Sequence, residues 1–292
     1  MPEYARILRL RKNGKLNYAL EYVCLDPANI ASQIINKTFS TILMSGSLTP
    51  VEAYLDFLGF DKSRAEAIEL PRSKEDFPPE NSLILIDISV TTWIKRRATQ
   101  IEMIAKHVEG IVNSTPGSSI VYFPSYELLN QVSQLIKLNK KVLIESPGMT
   151  ENERIKIIKE LKRKILLAVL NGKFARGVDL PGILKSVVIV GVPVRPPDVF
   201  SKLLENYYAS KFNSKEIGAL YAWRIPAINA AIQAAGRLIR DKNDVGVIAF
   251  LDNRYCFVKD YYKILPVEYR KYKKIVREPS EAVINFWKNF LK

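Results

Sequence analysis

The chain has 292 residues, 48% hydrophobic and 25% charged, and its 44 Lys and Arg against 30 Asp and Glu give a net charge of +14. That length buries a substantial core as one large domain or two small ones, which excludes general disorder, and so basic a surface attracts a polyanion, nucleic acid before an anionic membrane. Two cysteines exclude a disulfide framework and cannot alone hold zinc or an iron–sulfur cluster, and a single histidine argues against a His-centred triad.

The first fifteen residues are charged throughout and carry no secretory core. Beyond them, short β-branched runs alternate with longer amphipathic ones, the pattern of βα units on a largely parallel sheet, so the expected class is α/β. The expected strands are Tyr18–Leu25, Phe39–Ser45, Leu83–Asp87, Ser119–Phe123, Lys141–Glu145, Ile165–Leu170, Ser186–Gly191 and Gly246–Leu251. Thr49, Pro50 and Glu52 signal a helix start: a capping threonine, a proline at the first helical position and an acidic first turn. The polar segment Asp61–Pro79 ends in two prolines and divides an N-terminal piece, 1–60, from the main sheet, 61–292. Sixty residues make a poor independent core, so that piece must pack on something else. Ile94–Asn113 has apolar residues at helical spacing and contains His107, which takes an ordinary helix-face role. Thr150 and Glu153 form a capping box for Arg154–Lys162. The longest apolar stretches, Ile165–Leu170 and Val187–Val194, fall far short of the ~18 residues of a membrane-spanning helix. Charge is uneven: 151–176 holds eight basic and three acidic residues, and 254–292 holds ten and four.

Four segments sit at the carboxyl ends of expected strands, where open α/β sheets bind ligands. In Ser45-Gly46-Ser47-Leu48-Thr49-Pro50, small hydroxyl residues and a glycine permit a tight turn with exposed amides, and the helix that follows favours an anion. An ordinary capped turn has the same look. Phe123-Pro124-Ser125-Tyr126 offers a hydroxyl and amides to a phosphate and a ring to a base, or is a capped helix with a core tyrosine. The run from Asn171 to Gly182 carries Gly172, Lys173, Arg176, Gly177 and Asp179, a loop able to approach a phosphate backbone closely or simply to turn. In Gln233-Ala234-Ala235-Gly236-Arg237-Leu238-Ile239-Arg240, a helix would set Gln233, Arg237 and Arg240 on one face, with Gly236 permitting close approach. Two arginines aimed at one point require an anion between them, such as a triphosphate in transfer, unless Asp241 and Asp244 pair with them on a solvated face.

Together these segments resemble the C-terminal half of the XPD and DinG family of superfamily 2 DNA helicases, archaeal XPD-like proteins in particular. Ser45 to Pro50 resembles helicase motif III, Phe123 to Tyr126 motif IV, Gly172 to Leu180 motif V and Gln233 to Arg240 motif VI. Gly191 to Asp198 resembles the proline-rich run after motif V, and Gly246 to Tyr255 the strand and turn after motif VI, so the likeness covers roughly residues 18–270. It implies a RecA-like second motor domain preceded by the last elements of the first. Arg237 and Arg240 would be arginine fingers on the γ-phosphate of ATP, with Gln233, Gly236, Gly177 and Asp179 lining the same cleft. Ser45, Gly46 and Ser47 would couple ATP state to strand movement. Ser125, Tyr126, Lys173 and Arg176 would lie along the single-stranded DNA track. Arg176 replaces the usual glutamate of motif V, reversing a charge, and Ser47 replaces the usual threonine of motif III but keeps its hydroxyl.

The phosphate-cradling G-x-x-x-x-G-K-S/T and an acidic D-E-x-H box are absent from the sequence, as are the family's four iron–sulfur cysteines. ATP and Mg²⁺ are therefore expected to be bound mainly by the missing N-terminal motor half, which would also carry the cluster. The chain reads as about half of an ATP-dependent 5′-to-3′ helicase, an excised domain or a split or decayed gene product, inactive as an ATPase by itself. Its expected partners are single-stranded DNA and that missing half, not a membrane, in the cytoplasm at the nucleoid. The alternative is a stand-alone module that binds single strands or regulates another helicase. A Rossmann-type enzyme is disfavoured because no G-x-G-x-x-G follows an expected strand.

Overall fold

A computed structural model of the chain describes residues 3–13, 15–70, 73–75, 77–175 and 182–290. In chain order its elements begin with β1 (Tyr4–Asn13), β2 (Lys15–Cys24), α1 (Ala28–Ile35), α2 (Val51–Leu58), β3 (Ser82–Asp87), α3 (Ile101–Asn113), β4 (Ser118–Phe123), α4 (Tyr126–Ser133), β5 (Val142–Ile144), α5 (Glu151–Glu160) and β6 (Ile165–Val169). They continue with β7 (Leu184–Val190), α6 (Val199–Lys211), α7 (Lys215–Ala219), α8 (Ile225–Ala235), β8 (Gly246–Leu251), α9 (Arg254–Phe257), α10 (Lys259–Ile264), α11 (Val267–Tyr272), β9 (Lys273–Val276) and α12 (Pro279–Lys288). They form two compact units, Met1–Glu69 with Val194–Pro226, and Leu70–Pro193 with Ala227–Lys292.

In the first unit β1 and β2 make an antiparallel hairpin, with Leu8 opposite Leu20 and Leu10 opposite Tyr18. The sequence reading expected only the second of these strands, because the alternating charges of the first hid its period. Asp26, 3% exposed, accepts the Tyr207 hydroxyl and the Lys211 ammonium at 2.6 Å each. Asp56 accepts the Tyr221 hydroxyl at 2.6 Å, and the Phe57 ring packs edge-on against Tyr208 and Tyr221. These bonds group 194–226 with residues 1–69, whereas a division at residue 60 assigns that segment to the main sheet. The expected strand Phe39–Ser45 is not formed: the segment has no regular structure, and Phe39, Ile42 and Met44 are 104%, 81% and 89% exposed. A strand needs a neighbouring ladder to satisfy its backbone groups, and no strand pairs with this one among the described residues. Pro50, not Thr49, is the residue at the start of α2, with no side-chain cap, and Gly59 closes the helix in the left-handed region at φ 67°.

The second unit holds seven parallel strands in the order β5-β6-β4-β7-β8-β3-β9. Parallel strands are covered on both faces, which is why these read as apolar runs and not as alternating ones. Leu85, Val121, Leu167, Val188 and Ala249 on one face pack with Ile104 and Val108 of α3, Leu128 and Val132 of α4, and Val283 and Trp287 of α12. On the other face the Phe250 ring meets Tyr255 and Tyr269 at 4.8 and 5.9 Å between centroids. The capping box is formed: Thr150 Oγ1 accepts from the Glu153 amide and Glu153 reaches back to the Thr150 amide. The expected helix Ile94–Asn113 begins with a short 3-10 turn, Arg97–Gln100, before α3. His107 on α3 is buried, its Nδ1 2.5 Å from Asp87 Oδ2. Edge strand β9 was not expected. Among the described residues no helix is long and apolar enough to cross a membrane.

Candidate functional site

In the second unit, the loops at the carboxyl ends of β4, β5 and β6 meet around one carboxylate, Glu145, which is 1% exposed. Its Oε1 accepts the Tyr126 hydroxyl at 3.0 Å and the Lys173 amide at 2.6 Å, and its Oε2 accepts the Val169 amide at 2.9 Å. A methyl group at Gly172 would overlap this carboxylate, so the loop passes only because residue 172 has no side chain. Burial first, then the bond and charge of Glu145, pushes the Tyr126 hydroxyl up to about 12, so it remains a donor at neutral pH. Ser125 starts α4 with an extended backbone, and its Oγ accepts the Leu128 amide at 3.3 Å, leaving the hydroxyl proton available. The Lys173 side chain is exposed.

Arg237 reaches the same loop. Its guanidinium donates to the carbonyl of Ala175, while the neighbouring carbonyl, that of Phe174, accepts the buried Tyr122 hydroxyl at 3.0 Å. The helical reading of this stretch is corrected: α8 ends at Ala235, and Gly236, Arg237 and Leu238 form a turn through bonds from their amides to the carbonyls of Ile232, Ala234 and Ala235. Gln233 thus lies on the helix, exposed, and Arg237 and Arg240 lie beyond it. Asp244 is occupied with backbone, accepting the amides of Arg240 at 2.8 Å and Asp241 at 3.1 Å. Arg176, Gly177 and Asp179 lie outside the described residues. Ser45, Gly46 and Ser47 belong to the first unit, where the two serine hydroxyls are 3.3 Å apart and the Ser47 amide donates to Ser45 Oγ at 3.3 Å.

Two features escaped the sequence reading. Glu145 looked like the polar end of a strand; only the fold brings donors from residues 126, 169 and 173 to it. The second lies at the ends of β3, β7 and β8. Asp252, fully buried, accepts the Thr92 amide at 2.8 Å and Arg254 Nε and a terminal nitrogen at 2.8 Å each. Gly191, at φ 73°, leaves room there for Thr92. Next to this clamp Trp93 is 47% exposed, with the Lys95 ammonium 5.9 Å from its ring, an aromatic face of the kind that stacks a base.

Arg237, Arg240, Lys173 and Gln233 all bear N–H donors and suit phosphate oxygens. Among the described residues no group of three or more His, Cys, Asp or Glu side chains is placed to hold a metal ion.

Residues 108–272 match the family described as the helicase C-terminal domain. The chain is 30% identical over 221 residues to the ATP-dependent DNA helicase XPD of Sulfolobus acidocaldarius, covering 74% of this chain and 39% of that protein. It is 27% identical over 270 residues to the ATP-dependent DNA helicase CHL1 of Debaryomyces hansenii, covering 81% of this chain and 33% of that protein. It therefore spans between a third and two fifths of the length of these relatives. The solved structure named XPD_APO superposes with a TM-score of 0.66 at 25% identity, covering 89% of this chain and 54% of that one. The seven-stranded parallel sheet flanked by helices is the RecA-like fold of a second motor domain. With its sheet, its motif order and its matched residues in agreement, the chain belongs to the helicase C-terminal domain family and corresponds to the C-terminal portion of XPD-like superfamily 2 helicases.

Proposed function

We propose that the chain is the C-terminal motor portion of an ATP-driven 5′-to-3′ DNA helicase. Residues 1–60 then end the first motor domain, with motif III, and 61–292 form the second. Arg237 and Arg240 meet the γ-phosphate of ATP held with Mg²⁺ by the first motor domain, where planar guanidinium donors stabilise charge developing on the transferred oxygens. Gln233, Gly236, Gly177 and Asp179 line that cleft, and Ser45, Gly46 and Ser47 couple it to strand movement. Ser125, Tyr126, Lys173 and Arg176 follow the single-stranded DNA, with Trp93 as a stacking face. The exposed apolar segment Phe39–Met44 finds its ladder partners in the first motor domain. The iron–sulfur cluster implied by the resemblance belongs with the first motor domain and outside these residues, and the motor works on DNA in the cytoplasm.

The bond from Arg237 to the Ala175 carbonyl carries this reading. It supports a direct mechanical link, because the loop that Arg237 grips also presents Lys173, and Glu145 ties that loop to Tyr126. A pull on Arg237 by phosphate is then felt along the strand-binding edge. Anisotropy of a labelled oligo(dT) with the purified chain tests the track. Lys173→Ala is expected to weaken binding about threefold to tenfold and to make the log–log salt slope less negative by about 0.7. An unchanged affinity and slope would contradict the assignment.

A further inference from the structure

The amino ends of the parallel strands, opposite the edge described above, carry a second concentration of positive charge. Lys141 directly precedes β5, Lys162 and Arg163 turn into β6, Lys185 is the second residue of β7, and Lys242 lies in the turn before β8. Short contacts connect these positions across the sheet. The Ile165 amide donates to the Lys141 carbonyl at 3.0 Å, and the Arg163 amide donates to Ser118 Oγ, at the start of β4, at 2.8 Å. Gly117 passes beside Lys185, whose Cγ would stand 2.9 Å from an added methyl, and a methyl at Gly246 would stand 2.8 Å from the Lys185 carbonyl. Asn81 Nδ2 donates to the Lys242 carbonyl at 2.8 Å.

With β5, β6, β4, β7 and β8 side by side, four strand spacings give a row about 19 Å long. Lys137, in the loop after α4, and Lys159, in the last turn of α5, add to its β5 side. Of the carboxylates nearby, Glu160 pairs with Lys164 at 3.0 Å, Glu109 accepts the Lys137 amide and Asp244 accepts two amides. Asp241, beside Lys242, and Glu80, beside Asn81, are exposed, so the cations of the row outnumber the exposed acids rather than standing without any. Lys140 is spent within the fold, on the carbonyls of Val112 and Thr115. Lys137, Lys141, Lys159, Lys162, Arg163 and Lys242 are exposed.

We infer that this row is a second nucleic-acid surface, one that takes the phosphate backbone of a duplex. Its reach is about half a turn of B-form DNA, whose charges recur every ~1.7 Å along the axis. Sequence-tolerant single-strand sites interleave cations with aromatic platforms, and none of these six exposed residues or their strand-start neighbours is aromatic. A row of cations without stacking faces positions a backbone and reads no base. The inference is independent of the motor reading, since it uses none of the residues assigned to ATP or to the single strand.

The test is anisotropy titration of a labelled 20-base-pair duplex and of oligo(dT), in parallel, against the full chain and the variant K141Q/K162Q/R163N/K242Q. Asparagine is used at 163 because Arg163 sits at φ 56°, a region asparagine tolerates. The variant is expected to bind the duplex at least about tenfold more weakly, with a log–log salt slope less negative by about 3 to 4, at about 0.9 for each phosphate that is no longer neutralised. Oligo(dT) affinity is expected to change less than twofold. A triple variant that keeps Arg163 should shift the duplex slope by about 2 to 3, so the test stands even if position 163 proves structurally demanding. Unchanged duplex binding in both variants, equal losses on both probes, or binding of polyglutamate with none of the duplex would overturn the inference.

Discussion

Glu145 and its three donors set the geometry of the loop that carries Lys173. Replacing it by glutamine keeps the shape but removes the charge and turns an N–H₂ group toward one of those donors. A buried amide then loses its acceptor, which costs about 2–4 kcal/mol. Urea unfolding of Glu145→Gln measures this, and a loss under about 0.5 kcal/mol would contradict the role given to the carboxylate. The tyrosines supply a pH test. Burial holds the hydroxyls of Tyr122 and Tyr126 up to about 12, against an unfolded value of about 10. The folded chain therefore retains protons that the unfolded chain releases, so their contribution is intact below pH 10 and is lost as pH rises toward 12. Tyr126→Phe should flatten that alkaline decline, and an unaltered profile would contradict the cause assigned. At this scale the sequence was legible where spacing alone mattered. Gly172, Lys173 and Arg237 could be picked out as neighbours in motif order, but Glu145 could not, because its partners are brought in from three separate segments.

Elements whose signals are local were read closely. The strand Gly246–Leu251 was placed to the residue, and the box of Thr150 and Glu153 forms as expected, because each depends on residues within a few positions. Elements that depend on a neighbour were not. The β-branched, aromatic run Phe39–Ser45 had the composition of a strand but no ladder, and β9, Lys273–Val276, is only four residues long and exists through its pairing with β3. The end of α8 at Ala235 was missed because nothing in Gly236 to Arg240 forbids a further helical turn outright. The double variant Phe39→Ser and Met44→Ser should stay within about 0.5 kcal/mol of the parent chain, whereas Leu85→Ala, wholly buried in β3, should cost about 2–5 kcal/mol. A loss above about 1 kcal/mol in the double variant would mean that the segment is packed within this chain.

On the scale of the whole molecule, a charge of +14 pointed to a polyanion without saying where it binds. The fold divides that charge between the carboxyl edge of the sheet, with Lys173 and Arg237, and the amino edge, with Lys141, Arg163 and Lys242. The α/β class and the parallel sheet were legible from alternating runs, while the grouping of 194–226 with residues 1–69 rests on Asp26 and Asp56, whose partners lie more than 160 positions away. The most direct test of the motor reading is Mg²⁺-dependent ATP turnover, with and without single-stranded DNA, by the chain alone and by the chain mixed with the N-terminal motor half of the Sulfolobus acidocaldarius relative. The reading predicts no turnover by the chain alone, DNA-stimulated turnover in the mixture, and a loss of about 10³-fold or more in the mixture with Arg237→Ala. Turnover by the chain alone, or turnover in the mixture that Arg237→Ala leaves intact, would contradict it.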